Sequence, residues 1–101
     1  MIISEDVKKV IEDSAYITLV TQCEDGTPHP IIAGKGEVAG NTVLFGIYKM
    51  EVTQRNLAAF PKAIIVACSK EPGPIGYRLT GTAMPNGKKL VFCPEKAEAL
   101  I

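Results

Sequence analysis

Lys49, Thr53, Gln54 and Arg55 lie close together where the apolar run "TVLFGIY" passes into the helix-like segment "MEVTQRNL". The first turn of a helix carries backbone N–H groups without intrahelical partners. A Thr hydroxyl, a Gln amide and an Arg guanidinium beside them would complete a phosphate site. The same residues allow a second arrangement, in which Gln54 and Arg55 face water, Thr53 caps the helix and Asn56 hydrogen-bonds a neighbouring loop. Spacing alone favours this second arrangement.

Other chemistry is weakly supported. A Ser or Cys nucleophile needs a nearby base, and the only histidine, His29, stands between Pro28 and Pro30 at the edge of a turn. Glu24-Asp25-Gly26 reads as turn chemistry rather than as a pair of catalytic carboxylates. Cys23, Cys68 and Cys93 are odd in number and widely spaced, which argues against a disulfide framework or a structural zinc site. Cys68, inside "KAIIVACS", is expected to be a small buried apolar side chain, while Cys23 and Cys93 are expected nearer the surface. No side chain is assigned as a catalytic acid or base, and none as a metal ligand.

The 101 residues carry 11 basic and 11 acidic side chains. A chain of this length suits one domain, taken as residues 1–101, and its neutral balance gives no general attraction for nucleic acid or an anionic membrane. Lys88 and Lys89 beside Phe92 read as a solvated hairpin with one core aromatic rather than a base-stacking platform. No apolar run reaches the roughly 18 residues of a membrane-spanning helix, and "MIISEDVKKV" lacks the pattern of a secretory signal. A cytoplasmic location is the default expectation.

The elements that must position these residues follow from patterning. Ser4 can cap a helix ending near Asp13 or Ser14, with Ile3, Val7, Val10 and Ile11 on one face. "AYITLVTQ" reads as a first strand, "HPIIAGKGEVAG" as a second weakened by glycines, and "TVLFGIY" as a third after a Gly40-Asn41 turn. A helix is expected from Glu51 to Phe60, with Met50, Thr53, Leu57 and Phe60 on one face and Pro61 as its stop. "KAIIVACS" reads as a fourth strand buried on both faces, "KEPGPIG" as a loop, "YRLTGTAM" as a fifth strand and "KKLVFC" as a sixth after Asn86-Gly87. Pro94 is expected to begin a final helical turn, "PEKAEALI". The fold class expected is mainly β: a six-stranded antiparallel barrel with short peripheral helices, with an open sheet covered by both helices as the alternative.

Several short motifs occur here in a telling order: T-x-x-x-D-G-x-P from Thr21 to Pro28, the apolar strand after Gly40-Asn41, T-x-x-N-L from Thr53 to Leu57, F-P-K-A, and G-Y-R-x-x-G. Over about residues 5 to 84 this order resembles the FMN-binding split-barrel family typified by pyridoxamine 5'-phosphate oxidase, and within it the small single-domain FMN-binding flavoproteins. The resemblance implies a six-stranded split barrel that forms a homodimer, with FMN in grooves at the subunit interface. It would place the flavin phosphate at Thr53, with Lys49, Met50, Gln54 and Arg55 beside it. The ring would lie along the second strand near Ile31 to Lys35, that is Ile32, Ala33, Gly34 and Lys35. Tyr77 and Arg78, or the C-terminal segment, would complete the site from the partner chain.

Many members of that family carry Arg or Lys just before this Thr, where this chain has Glu51 and Val52. A carboxylate beside a dianionic phosphate is repulsive, and Lys49, Arg55 or Lys35 would have to compensate. The function implied is an FMN-dependent oxidoreductase or electron-transfer protein. The alternatives are a non-catalytic split-barrel dimer that has lost FMN, and a groove that holds another cofactor, a phosphate-bearing one such as a deazaflavin, or haem.

Overall fold

A computed structural model describes residues 2–70 and 73–100. In chain order the elements are α1 (Glu5–Asp13), β1 (Ile17–Gln22), β2 (Pro28–Gly34), β3 (Gly36–Ala39), β4 (Thr42–Gly46), α2 (Glu51–Ala59), β5 (Lys62–Ser69), β6 (Ile75–Asn86) and β7 (Lys89–Ala99). The strands form one antiparallel sheet in the order β2-β1-β5-β6-β7-β4-β3. Its two outer strands, β2 and β3, are consecutive in the chain and separated only by Lys35. The sheet must therefore curl until its ends meet, and the result is a split barrel.

The strand count is seven rather than the expected six. The expected second strand breaks at Gly34, which takes φ +84, a left-handed conformation that glycine adopts without steric cost. The first part of the segment pairs with β1 and the second with β4. Gly36 then passes so close to the core that an added Cβ would stand 2.9 Å from Ile17 Cδ1 and 3.0 Å from Val43 Cγ1.

Alternation of side chains fills the barrel. Ile17, Leu19, Val43, Phe45, Ile65, Leu79, Leu90 and Phe92 are all fully buried, each contributing about 1.5–3 kcal/mol by leaving water. Helix α1 is capped by Ser4, whose hydroxyl accepts from Val7 N–H, and its Val7, Val10 and Ile11 face inward as expected. It packs against β3 and β5, and α2 packs against β1 and β6.

Three expectations are corrected. "KAIIVACS" is buried on one face only: Ala63, Ile65 and Ala67 point inward, whereas Ile64 and Val66 are half-buried on the outer face. Cys68 is exposed rather than buried, because it falls on that outer face, while Cys93 is exposed as expected and Cys23 half-buried. The segment after Pro94 is not helical but continues β7 to Ala99, pairing with the first half of β6.

Pro94 is tolerated in that strand because the register shifts there. Thr80 pairs with Lys96 and Gly81 with Pro94, which leaves Glu95 as an extra residue on β7, and a bulge does not require the missing N–H. Gly81 is needed opposite it, since an added Cβ would lie 2.1 Å from Cys93 O. The expected loop "KEPGPIG" lies partly outside the described residues. Residues 73 and 74 precede β6 as irregular chain.

Candidate functional site

Strand β4 ends at Gly46, two residues earlier than the expected strand, and the chain then makes a strained turn. Lys49 and Met50 have φ 64 and φ 57, a conformation that costs an ordinary residue roughly 1–2 kcal/mol. Met50 is the N-cap of α2 and supplies no side-chain hydrogen bond. The first helical bond runs from Gln54 N–H to Met50 O at 2.9 Å. The N–H groups of Glu51, Val52 and Thr53 are therefore without intrahelical acceptors, at the positive end of the helix dipole.

Thr53 does not cap the helix. Its residue is 1% exposed, and its Oγ1 is buried without a hydrogen-bond partner. A buried hydroxyl with no partner costs about 1–3 kcal/mol, so a polar atom held in this state calls for an explanation.

This helix start forms one wall of a groove of about 500 Å³. The lining residues of α2 and its approach are Tyr48, Met50, Glu51, Val52 and Thr53; the opposite wall is β2 from His29 to Gly34, with Tyr16 and Gly46 at the margins. Tyr16, Tyr48 and Ile32 are 74%, 81% and 62% exposed, an unusual amount of uncovered aromatic and aliphatic surface around one opening.

Six of the residues that the expected cofactor site named meet here: Ile31, Ile32, Ala33, Gly34, Met50 and Thr53. The others are placed elsewhere. The Lys35 ammonium donates to Glu12 O at the end of α1, and the Lys49 ammonium lies 5.8 Å from the centre of the Tyr48 ring. Gln54 Nε2 turns back to Lys49 O at 3.1 Å. Arg55 lines a separate hollow with Cys23, Glu24, Asp25, Thr27 and Asn56.

Tyr77 is half-buried against the core, and Arg78 pairs with Glu98 at 3.3 Å on the neighbouring strand. The Arg78 hydrogen bond and charge hold the Glu98 carboxyl below the usual carboxylate range. Asn56 Nδ2 donates to Thr21 Oγ1 at 3.1 Å and thereby ties α2 to strand β1, where the second arrangement expected a neighbouring loop.

The groove also contains residues that sequence reasoning did not place there, Tyr16, His29, Gly46 and Tyr48, together with Glu51 and Val52 at the positions already noted before Thr53. His29 is brought in by pairing, since it sits opposite Thr21 on β1. Tyr16 and Tyr48 flank strand ends, and only their exposure in the folded chain marks them. Among the groove's lining residues Glu51 is the one carboxylate, and none is Lys or Arg. Among the described residues no cluster of His, Cys, Asp and Glu suits a metal ion.

The arrangement suits an elongated ligand. Unpaired N–H groups and the Thr53 hydroxyl offer donors to an anionic or strongly accepting end, and the half-exposed face of β2 with two tyrosines offers an apolar bed for a flat ring.

No family model matches the sequence, and no curated protein matches it. Solved structures do match by shape. HupZ of Group A Streptococcus is 18% identical with a TM-score of 0.80, over 96% of this chain and 93% of that one. An FMN-binding protein of Syntrophomonas wolfei is 14% identical with a TM-score of 0.76, over 93% of this chain and 83% of that one. A Listeria innocua protein classed with pyridoxamine 5'-phosphate oxidase is 14% identical with a TM-score of 0.75, over 95% and 96%. The chain therefore has the split-barrel fold of the FMN-binding and pyridoxamine 5'-phosphate oxidase-like structures.

Proposed function

We propose that the protein is an FMN-binding flavoprotein in which the groove between α2 and β2 holds the cofactor. The observation that carries this reading is Thr53: a buried hydroxyl without a partner, on the uncapped first turn of α2, in the wall of a groove. The N–H groups of Glu51, Val52 and Thr53, with Thr53 Oγ1, would hold the phosphate. The β2 segment Ile31 to Gly34 would support the ring, and Tyr16 and Tyr48 would shield its faces from water. Bound FMN would supply hydride or single-electron transfer, and the protein's part is to bind, orient and exclude solvent.

A homodimer belongs to the same proposal. A second shallow hollow, of about 340 Å³, opens on the outer face of the β1-β5-β6 sheet between Val20, Ile64 and Phe60. With Val66 half-buried on that face, it is a surface that a second copy could cover, bringing partner residues toward each groove.

A second reading is favoured by Glu51, which lines the groove with no Lys or Arg among the other lining residues. It would have the groove take a ligand whose polar end is less anionic than a phosphate dianion. Titration of the purified protein with FMN and with riboflavin separates the two readings. The FMN reading expects saturation near one FMN per chain and tighter binding of FMN; tighter binding of riboflavin would favour the second.

A further inference from the structure

His29 is the one groove-lining side chain that can become cationic, and it lines the same groove as Glu51, Val52 and Thr53 at the start of α2. It pairs with Thr21 across β1 and β2, so the two side chains share a face of the sheet. Thr21 Oγ1 is bonded to Asn56 of α2, and Asn56 stands three residues after Thr53, on the same side of the helix. His29 is thus linked through Thr21 and Asn56 to the second turn of α2, one turn beyond Thr53, whereas Ala33 and Gly34 lie toward the opposite end of β2. Pro28 and Pro30 on either side of it lack N–H groups and keep this stretch at the sheet edge.

We propose that His29, when protonated, is the charge partner of the ligand's phosphate, standing in for the Lys or Arg that the groove lacks and offsetting Glu51. The inference rests on the FMN reading of the same groove. The other ionisable side chains lining it are Tyr16, Tyr48 and Glu51. Lys49 is held over Tyr48, and Glu24, Asp25 and Arg55 line the neighbouring hollow beyond Asn56. As chemical classes, imidazoles and phosphate monoesters change charge near neutral pH, whereas carboxylates, phenols and guanidinium groups ordinarily do not. Affinity for a phosphate-bearing ligand should therefore depend on pH in a way that affinity for its dephosphorylated counterpart does not.

The test compares FMN and riboflavin binding to the wild-type protein and to His29→Gln, by calorimetric titration at about pH 5 and about pH 8. Taking the ratio of wild-type to variant affinity for the same ligand removes the ionisation of the phosphate itself. For FMN the expected ratio is about tenfold at the lower pH and about one at the higher, the size of one charge-assisted hydrogen bond. For riboflavin it should be about one at both, which also shows that the variant's groove is intact. Glu51→Gln should strengthen FMN binding a fewfold at the higher pH. An FMN ratio that does not change with pH, or a riboflavin ratio that follows it, overturns the role of His29 and leaves the FMN reading standing. Failure of both flavins to bind the wild-type protein overturns both.

Discussion

Thr53 is the residue on which structure and proposed function meet. Its hydroxyl is buried without a partner, so Thr53→Val, which keeps the shape and removes the polar atom, should leave the free protein as stable or up to about 1 kcal/mol more stable. The same change should weaken FMN binding by about five- to tenfold, the loss of one hydrogen bond to a charged group. Thermal unfolding and an FMN titration measure the two effects; a variant that is less stable and binds FMN equally well would show that the hydroxyl serves the fold. Thr53 was legible in sequence as part of a donor-rich helix start. Lys49, Gln54 and Arg55 shared that signal, yet each is turned elsewhere, because one-dimensional spacing does not reveal which way a nine-residue helix presents its sides. His29 was read as a turn residue, because its approach to α2 depends on the pairing of β2 with β1.

At the scale of elements, the local signals were clear where they were local. Ser4 as a cap, the apolar stripe of α1, the tight turns and the position of α2 all follow from neighbouring residues. The bulge at Pro94 did not, because the strand that continues beyond it is specified by β6 across the sheet rather than by "PEKAEALI" itself. Six apolar residues in "KAIIVACS" gave no periodicity from which to tell two buried faces from one. The join between α1 and β5 offers a test of element-level stability. Ser14 Oγ lies 2.7 Å from Val10 O and 2.8 Å from Cys68 O, sharing its single proton, and accepts from Cys68 N–H at 3.0 Å. Ser14→Ala leaves that N–H without an acceptor and should cost about 1–3 kcal/mol. Chemical denaturation would detect this as a lower midpoint with an unchanged slope; an unchanged midpoint would mean the helix is docked by its apolar face alone.

For the whole molecule, the order of the sheet explains why a barrel was foreseeable although its strand count was not. One chain segment, from Pro28 to Ala39, supplies both outer strands, so curling follows from connectivity once Gly34 permits the bend. The tyrosines and Ile32 left uncovered beside the groove, with the apolar hollow on the outer sheet face, lead to the expectation of a dimer. Sedimentation velocity should show a species of twice the chain mass, and Ile64→Lys, which sets an unpaired charge in the hollow, should shift it to the monomer while the fold is retained by circular dichroism. A wild-type protein that sediments as a monomer at all concentrations would contradict this.

The central claim, that this split barrel holds FMN against the start of α2, is tested most directly by the visible absorbance spectrum of freshly purified protein before and after addition of FMN. The account predicts a flavin spectrum approaching one FMN per chain, as isolated or after reconstitution, that Thr53→Val retains less well. Colourless protein that leaves the spectrum of added FMN unchanged would contradict it.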